Sequence, residues 1–297
     1  MNLAADETKL FWVSSGYNRA PKGVFSVPKA GGTPTKLADV NQAMGVWPTK
    51  DNVYFYDAGP ELFVMPKAGG KPVSMVENDA LGPAAAGGDT LCWLGAFTPQ
   101  GASEKRAAAP APSASAQPEK FLDSDRRTIY CKKDGAARAV PVAPVTLFVQ
   151  QLLVAGDRVY WLSSVDESIQ SAAVSGGSKR TVASQVKGVT ALVGNKSSIL
   201  FVGIHGTEKG LFVVDQKGGA PRKLVALATE WTRDLAADET FAYYTLNRGL
   251  FRIAFSGGKP QAIFLGDVKA PKGTVLDDSS LYTVDGSYLR RLKKPSP

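Results

Sequence analysis

The chain has 297 residues, 44% of them hydrophobic and 21% charged, with a formal net charge of +8 at pH 7. That balance supplies enough apolar surface to offset chain entropy, and it excludes wholesale disorder. No apolar run approaches the roughly 20 residues that a spanning helix needs, so no transmembrane segment is expected.

Thirty glycines and nineteen prolines suit many short strands joined by tight turns. The hexapeptide LAADET at 3–8 returns at 235–240, and PKAGGTP at 28–34 returns as PKAGGKP at 66–72. Weaker copies of the second element are SGGSK (175–179), KGGAP (217–221), SGGKP (256–260) and KKDGA (132–136). A short aromatic strand recurs as LFWV (10–13), VYFY (53–56), LCWL (91–94), VYWL (159–162), ILFV (199–202), FAYY (241–244) and LYTV (281–284). These strands begin 43, 38, 68, 40, 42 and 40 residues apart. The long interval is one period plus an insertion, because residues 97–120 are low-complexity Ala/Pro/Ser/Gln sequence with the composition of a flexible loop. A period near 40 with several short strands per unit is a propeller signature. No sustained 3.6-residue apolar periodicity argues for helix pairs. The prediction is one all-β domain over residues 1–297, a seven-bladed propeller of four-stranded antiparallel blades, with the insertion inside the third.

In chain order, the first unit reads as a small inner strand A, LAAD (3–6), the aromatic strand B, strand C from Gly23 to Val27, and strand D from Thr35 to Ala38. Its B–C loop holds Tyr17 and Arg19. Gly31-Gly32, like Gly69-Gly70 in the second unit, supplies the positive φ of a tight C–D hairpin. The second unit places Trp47 where the D–A loop meets strand A, near the top of the central channel, and Glu61 in the B–C loop. In the third, Cys92 on strand B and Cys131 on strand C stand across the insertion. Directly opposed positions lie within disulfide reach. They are either a bridge, implying an oxidising compartment, or two small buried thiols. The fourth unit is preceded by Gln150 and carries Asp166 and Glu167 in its B–C loop.

The fifth unit holds His205, the single histidine, beside Glu208 in GIHGTEKG. One imidazole without a cysteine cluster makes no metal site, and no nucleophile elbow accompanies it. An exposed loop histidine, no metal and no cofactor are expected. The sixth unit brings Glu230, Trp231 and Arg233 in its D–A loop and Arg248 between B and C. The seventh has strands A (TVLD, 274–277), B and C but no strand D, since Tyr288 to Leu292 run into Lys-Lys-Pro-Ser-Pro. Arg290, Arg291, Lys293, Lys294 and Pro295 are residue types that guard an open edge. The edge is either naturally open, where a partner can add a strand, or completed by a strand D that precedes Met1 in a longer chain.

Trp12, Trp93 and Trp161 share the strand B position and are expected in the core. Trp47 and Trp231 do not. With Tyr17, Arg19, Gln150, Arg233 and Arg248 they form an aromatic and cationic binding patch, or they plug the channel and pack between blades. Most carboxylates fall in A–B turns, where they shape the turn. Glu167 and Glu230 on the top face are the pair to consider as general acid and base of a hydrolase or lyase, but nothing in the sequence fixes their separation. The lysines cluster in C–D turns beside the acidic A–B turns, where they solubilise the turns. Interleaved signs of this kind, without a recognisable module, give no nucleic-acid surface. A non-catalytic scaffold binding another protein or an envelope glycan is the leading expectation, with small-ligand binding at the channel mouth as a further alternative.

The unit carried by Val159-Tyr160-Trp161, Val27-Pro28-Lys29-Ala30-Gly31-Gly32 and Thr35-Lys36-Leu37-Ala38 resembles propeller repeats of secreted proteins and lipoproteins of myxobacteria and related bacteria. It is more distantly similar to YWTD propeller repeats, although no unit has the full motif. The resemblance covers nearly the whole chain except the insertion, and implies an extracytoplasmic location, periplasmic or cell-surface. It implies no catalytic residues. The N-terminus as given shows no basic region followed by an apolar stretch, so no signal peptide is seen.

Overall fold

The computed structural model describes residues 3–14, 16, 21–41, 43–57, 61–76, 80–96, 126–146, 149–227, 234–246, 249–265, 272–285 and 288–295. Blade 1 is built from β1 (Leu3–Ala5), β2 (Lys9–Ser14), β3 (Gly23–Pro28) and β4 (Thr35–Ala38). Blade 2 follows with β5 (Ala43–Pro48), β6 (Asn52–Asp57), β7 (Leu62–Pro66) and β8 (Val73–Val76). Blade 3 comprises β9 (Ala80–Gly87), β10 (Thr90–Ala96), β11 (Arg126–Lys133) and β12 (Val140–Thr146). In blade 4 the strands are β13 (Leu152–Ala155), β14 (Arg158–Ser163), β15 (Ser168–Ala173) and β16 (Arg180–Ala183). Those of blade 5 are β17 (Val186–Gly194), β18 (Ser198–His205), β19 (Glu208–Asp215) and β20 (Arg222–Ala226). Blade 6 has β21 (Leu235–Ala237), β22 (Phe241–Leu246), β23 (Gly249–Ala254) and β24 (Gln261–Leu265). Blade 7 stops at three: β25 (Lys272–Leu276), β26 (Ser280–Asp285) and β27 (Tyr288–Lys293). Every blade is an antiparallel meander in chain order.

The inner strands touch in the cycle β1–β5–β9–β13–β17–β21–β25 and back to β1, which closes the ring. The fold is a seven-bladed β-propeller. The segment 97–120, expected as an insertion, lies outside the described residues and falls between the paired strands β10 and β11.

The core is the set of spaces between blades, and the period-2 alternation of strand B explains it. Phe11 and Val13 face blade 2, while Leu10 and Trp12 face blade 7. Likewise Tyr160 and Leu162 face blade 5, while Val159 and Trp161 face blade 3. A strand sandwiched on both faces has no solvent side, so it reads as a continuous apolar run. Burying each such side chain contributes roughly 1.5–3 kcal/mol.

A second device joins neighbouring blades at their A–B turns. Asp6, Asp238 and Asp277 each use one carboxylate oxygen to cap their own A–B turn, accepting amides at 2.7–2.9 Å. The other oxygen meets a lysine placed just after strand C of the adjoining blade. Lys67 reaches Asp6 at 2.7 Å, Lys294 reaches Asp238 at 2.9 Å, and Lys29 stands 3.8 Å from Asp277. Each ammonium also lies over a strand B ring, of Phe11, Tyr243 or Tyr282. Lys29 and Lys67, expected to solubilise the turns, and Lys294, expected to guard the open edge, are largely covered and clamp neighbouring blades. Blade 3 reverses the polarity. Its residue at that position is Asp134, which accepts from Thr49 Oγ1, the Asp51 amide, Asn52 Nδ2 and the Tyr54 hydroxyl of blade 2 at 2.8–3.1 Å.

Candidate functional site

Of the residues expected to form the top-face patch, Tyr17, Arg19, Trp231, Arg233 and Arg248 lie outside the described residues, as does Glu230. Gln150 is exposed just before β13. Trp47 sits within β5, two residues before Thr49, where the A–B turn begins. Strand A of this blade starts earlier than LAAD-type spacing implies, and carries a register shift between Ala43 and Val46. Trp47 therefore joins the backbone near the turn end of the strand, and its indole folds back over Gly45. Its ring meets Tyr56 edge-on at 5.3 Å and packs with Trp93, Ala84 and Ala86 of blade 3.

Three of the described top-face carboxylates, Asp166, Glu167 and Glu208, are held by local partners. Asp166 accepts from Ser163 Oγ and Gln170 Nε2, both at 2.7 Å. Glu167, in the left-handed region at φ 44°, pairs with Lys187 at 3.6 Å. Glu208 pairs with Lys223. His205, half-buried, is paired with Glu208 across the β18–β19 hairpin and sets its ring edge-on to Phe212 at 5.8 Å. Among the described residues no group of three or more His, Cys, Asp or Glu is placed to hold a metal ion.

Sequence reading missed one buried acid. Asp234, just before β21, accepts the Thr274 amide at 2.6 Å and the Thr274 hydroxyl, tying blade 6 to blade 7. Burial raises its pKa, and the Thr274 bonds only partly oppose that. Cys92 and Cys131 are directly opposed in the β10–β11 register and joined as a disulfide, both sulfurs buried.

A groove of about 400 Å³ lies between blades 7 and 1. Blade 1 lines it with Leu3, Leu10, Trp12 and Val27, and blade 7 with Tyr282, Val284, Leu289 and Arg291. Its origin follows from the repeat. Aligning the blades on the clamp position puts Leu289 in register with Val24, Leu62, Ile129, Ile169, Leu211 and Leu250. Those six residues are 0–2% exposed, whereas Leu289 is 39% exposed. In each four-stranded blade that side chain lies beside strand D, and blade 7 has no strand D among the described residues. Trp12, expected in the core like Trp93 and Trp161, is only half-buried for the same reason. It stacks on Phe25 at 5.6 Å and presents its other side to the groove.

Arg291 is the basic residue of β27 that lines the groove, and its strand neighbours Arg290 and Lys293 are exposed. Arg291 Nε donates to Ser280 Oγ at 3.0 Å, and its guanidinium lies 6.0 Å from the Tyr282 ring. Beneath it the Tyr282 hydroxyl donates to Asp277 at 2.8 Å. Burial, then the Asp277 charge, raises the pKa of that phenol.

No family model matches the chain, and no curated protein matches it. Solved structures do. A catalytically inactive variant of virginiamycin B lyase from Staphylococcus aureus, with quinupristin, aligns at TM-score 0.68 and 13% identity over 99% of this chain and 94% of that one. A chain of a nidogen/laminin complex aligns at TM-score 0.53 and 13% identity, covering 87% and 93%. A prolyl endopeptidase aligns at TM-score 0.65 and 13% identity over 98% of this chain and 49% of that one. These neighbours include enzymes and a binding module, so the likeness establishes the propeller fold and leaves the activity to the site.

Proposed function

We propose that this chain is a non-catalytic propeller module that binds another macromolecule, a protein or a glycan, at a bacterial cell envelope. The observation that carries the reading is the seventh blade, which among the described residues has three strands and leaves the outer edge of β27 unpaired, with an apolar groove beside it. Propellers ordinarily leave only short, protected edges, so an edge bordered by an exposed Leu289 is a surface suited to a partner. The disulfide accords with an extracytoplasmic site, where such bonds persist. The resemblance of the repeat to secreted and lipoprotein propellers supports the same placement.

The test is saturable binding of the immobilised chain to native envelope fractions and to a glycan panel. The reading expects at least one saturable ligand. Turnover of a carbohydrate or peptide substrate, abolished by Glu167→Gln and with no saturable macromolecular ligand, would overturn it.

A further inference from the structure

The six complete blades describe what the seventh lacks in more detail than an edge alone. Each strand D pairs with strand C through a register shift at one fixed place, which leaves one extra residue on strand D. That residue is Leu37, Met75, Val142, Val182, Leu224 or Ile263, aliphatic in every blade. Each packs into the space facing the next blade around the ring. The next residue, opposite the buried strand C aliphatic, is Ala in three of the six. Bulges of this kind re-aim a side chain, and here the bulge points an aliphatic group between blades.

Around blade 7 the corresponding space is the groove, and its mouth differs in charge. Blade 6 carries Arg252 where blade 7 carries Arg291, and Arg252 Nε donates to Gln261 Oε1 of its own strand D at 2.8 Å. In blades 1, 2, 5 and 6 the preceding position on strand C, occupied by Arg290 in blade 7, is Phe25, Phe63, Phe212 or Phe251. A second copy of this chain would bring Arg290, Arg291 and Lys293 against the same three side chains, which like-charge repulsion disfavours.

We infer that the groove between blades 7 and 1 receives an extended acidic peptide of a partner protein, added antiparallel to β27 as a fourth strand. Its pattern is an acceptor side chain opposite Arg291, an acid opposite Arg290, a bulged aliphatic residue in the groove, and a small residue over Leu289. Main-chain bonds to β27 supply affinity and the single aliphatic pocket supplies register. This rests on the binding-module reading and names the site and the chemistry of its ligand.

The test uses the whole chain and a fluorescent synthetic peptide, Thr-Glu-Glu-Leu-Ala-Val, read by anisotropy. The expected dissociation constant is on the order of tens of micromolar. Replacing the peptide leucine by aspartate, or making Leu289→Asp in the chain, is expected to weaken binding at least tenfold, and Leu289→Asp retains the thermal midpoint because the residue is already exposed. A Lys-Lys peptide is expected to bind only the Arg290→Glu/Arg291→Glu variant. No binding of the acidic peptide, or equal binding of its scrambled sequence, overturns the inference. A dimer in sedimentation that Leu289→Asp dissolves also overturns it, since the occupant is then a second copy. A thermal midpoint raised by joining a flanking native segment in cis, with the peptide excluded, overturns it in favour of self-completion. An envelope ligand that binds wild type and Leu289→Asp equally overturns this inference while leaving the binding-module reading in force.

Discussion

Reduction of the Cys92–Cys131 disulfide is the perturbation whose size follows most directly from the fold. The bond joins residues 39 apart in sequence. In the native state it adds little order, because β10 and β11 are already paired on either side of it. In the unfolded state it closes a long loop, and the loop-closure entropy for that separation is about 13 cal/mol/K, or about 4 kcal/mol at 25 °C. Guanidinium unfolding followed by intrinsic fluorescence, with and without reductant, measures it, since Trp93 is buried beside the bond. Reduced protein is expected to unfold with about 4 kcal/mol less stability, which at this size is a fall in thermal midpoint on the order of 10 °C. Because both sulfurs are buried, thiol labelling of the native state should be slow and limited by opening of blade 3. A reduced form within about 1 kcal/mol of the oxidised one would refute the reasoning, since loop closure then contributes nothing.

Other outcomes concern the clamps and the core. Asp134→Ala removes one acceptor shared by four donors of blade 2 and should cost about 2–3 kcal/mol in chemical unfolding, with Asp134→Asn costing less. Asp6, Asp238 and Asp277 have pKa values held below the usual 3.8. Burial alone would raise each, but turn amides and the lysine, helped by a tyrosine at Asp238 and Asp277, outweigh it. A depressed folded pKa stabilises above the unfolded value and is lost as pH falls through the folded one. Stability should therefore drop below about pH 4, and Asp238→Asn should flatten that limb of the curve. Trp47→Ala should lower stability by about 2–4 kcal/mol, because the ring packs between blades 2 and 3, and a melt unchanged by it would contradict that placement.

The sequence made the ring legible because a small inner strand and an aromatic strand recur at one period in every blade, with a Gly-Gly hairpin in five of them. The double-faced burial of Phe11 and Leu10 follows from those cues, and so does the seventh blade without strand D. What escaped reading lies between units. Lys29 and Lys67 look like turn lysines, and Lys294 like an edge guard, until the ring sets the end of each strand C beside the A–B turn of a neighbouring blade. Trp47 was misplaced along its strand because a bulge at Ala43–Val46 lets β5 begin before the repeat motif does. The groove is a property of an absence, visible only when Leu289 is compared with Val24 and its equivalents in space. Asp234 gave no signal, because its partner Thr274 is 40 residues away in the next blade.

The most direct measurement of the central claim is hydrogen–deuterium exchange of the whole chain, free and bound to its saturating ligand. Binding at the open edge predicts that the amides of β27, Tyr288–Lys293, gain protection, together with Val27 and Pro28's neighbours on β3 across the groove. Protection confined to the D–A and B–C loops of the opposite blades, with β27 exchanging as before, would contradict the account and move the binding surface to the top face.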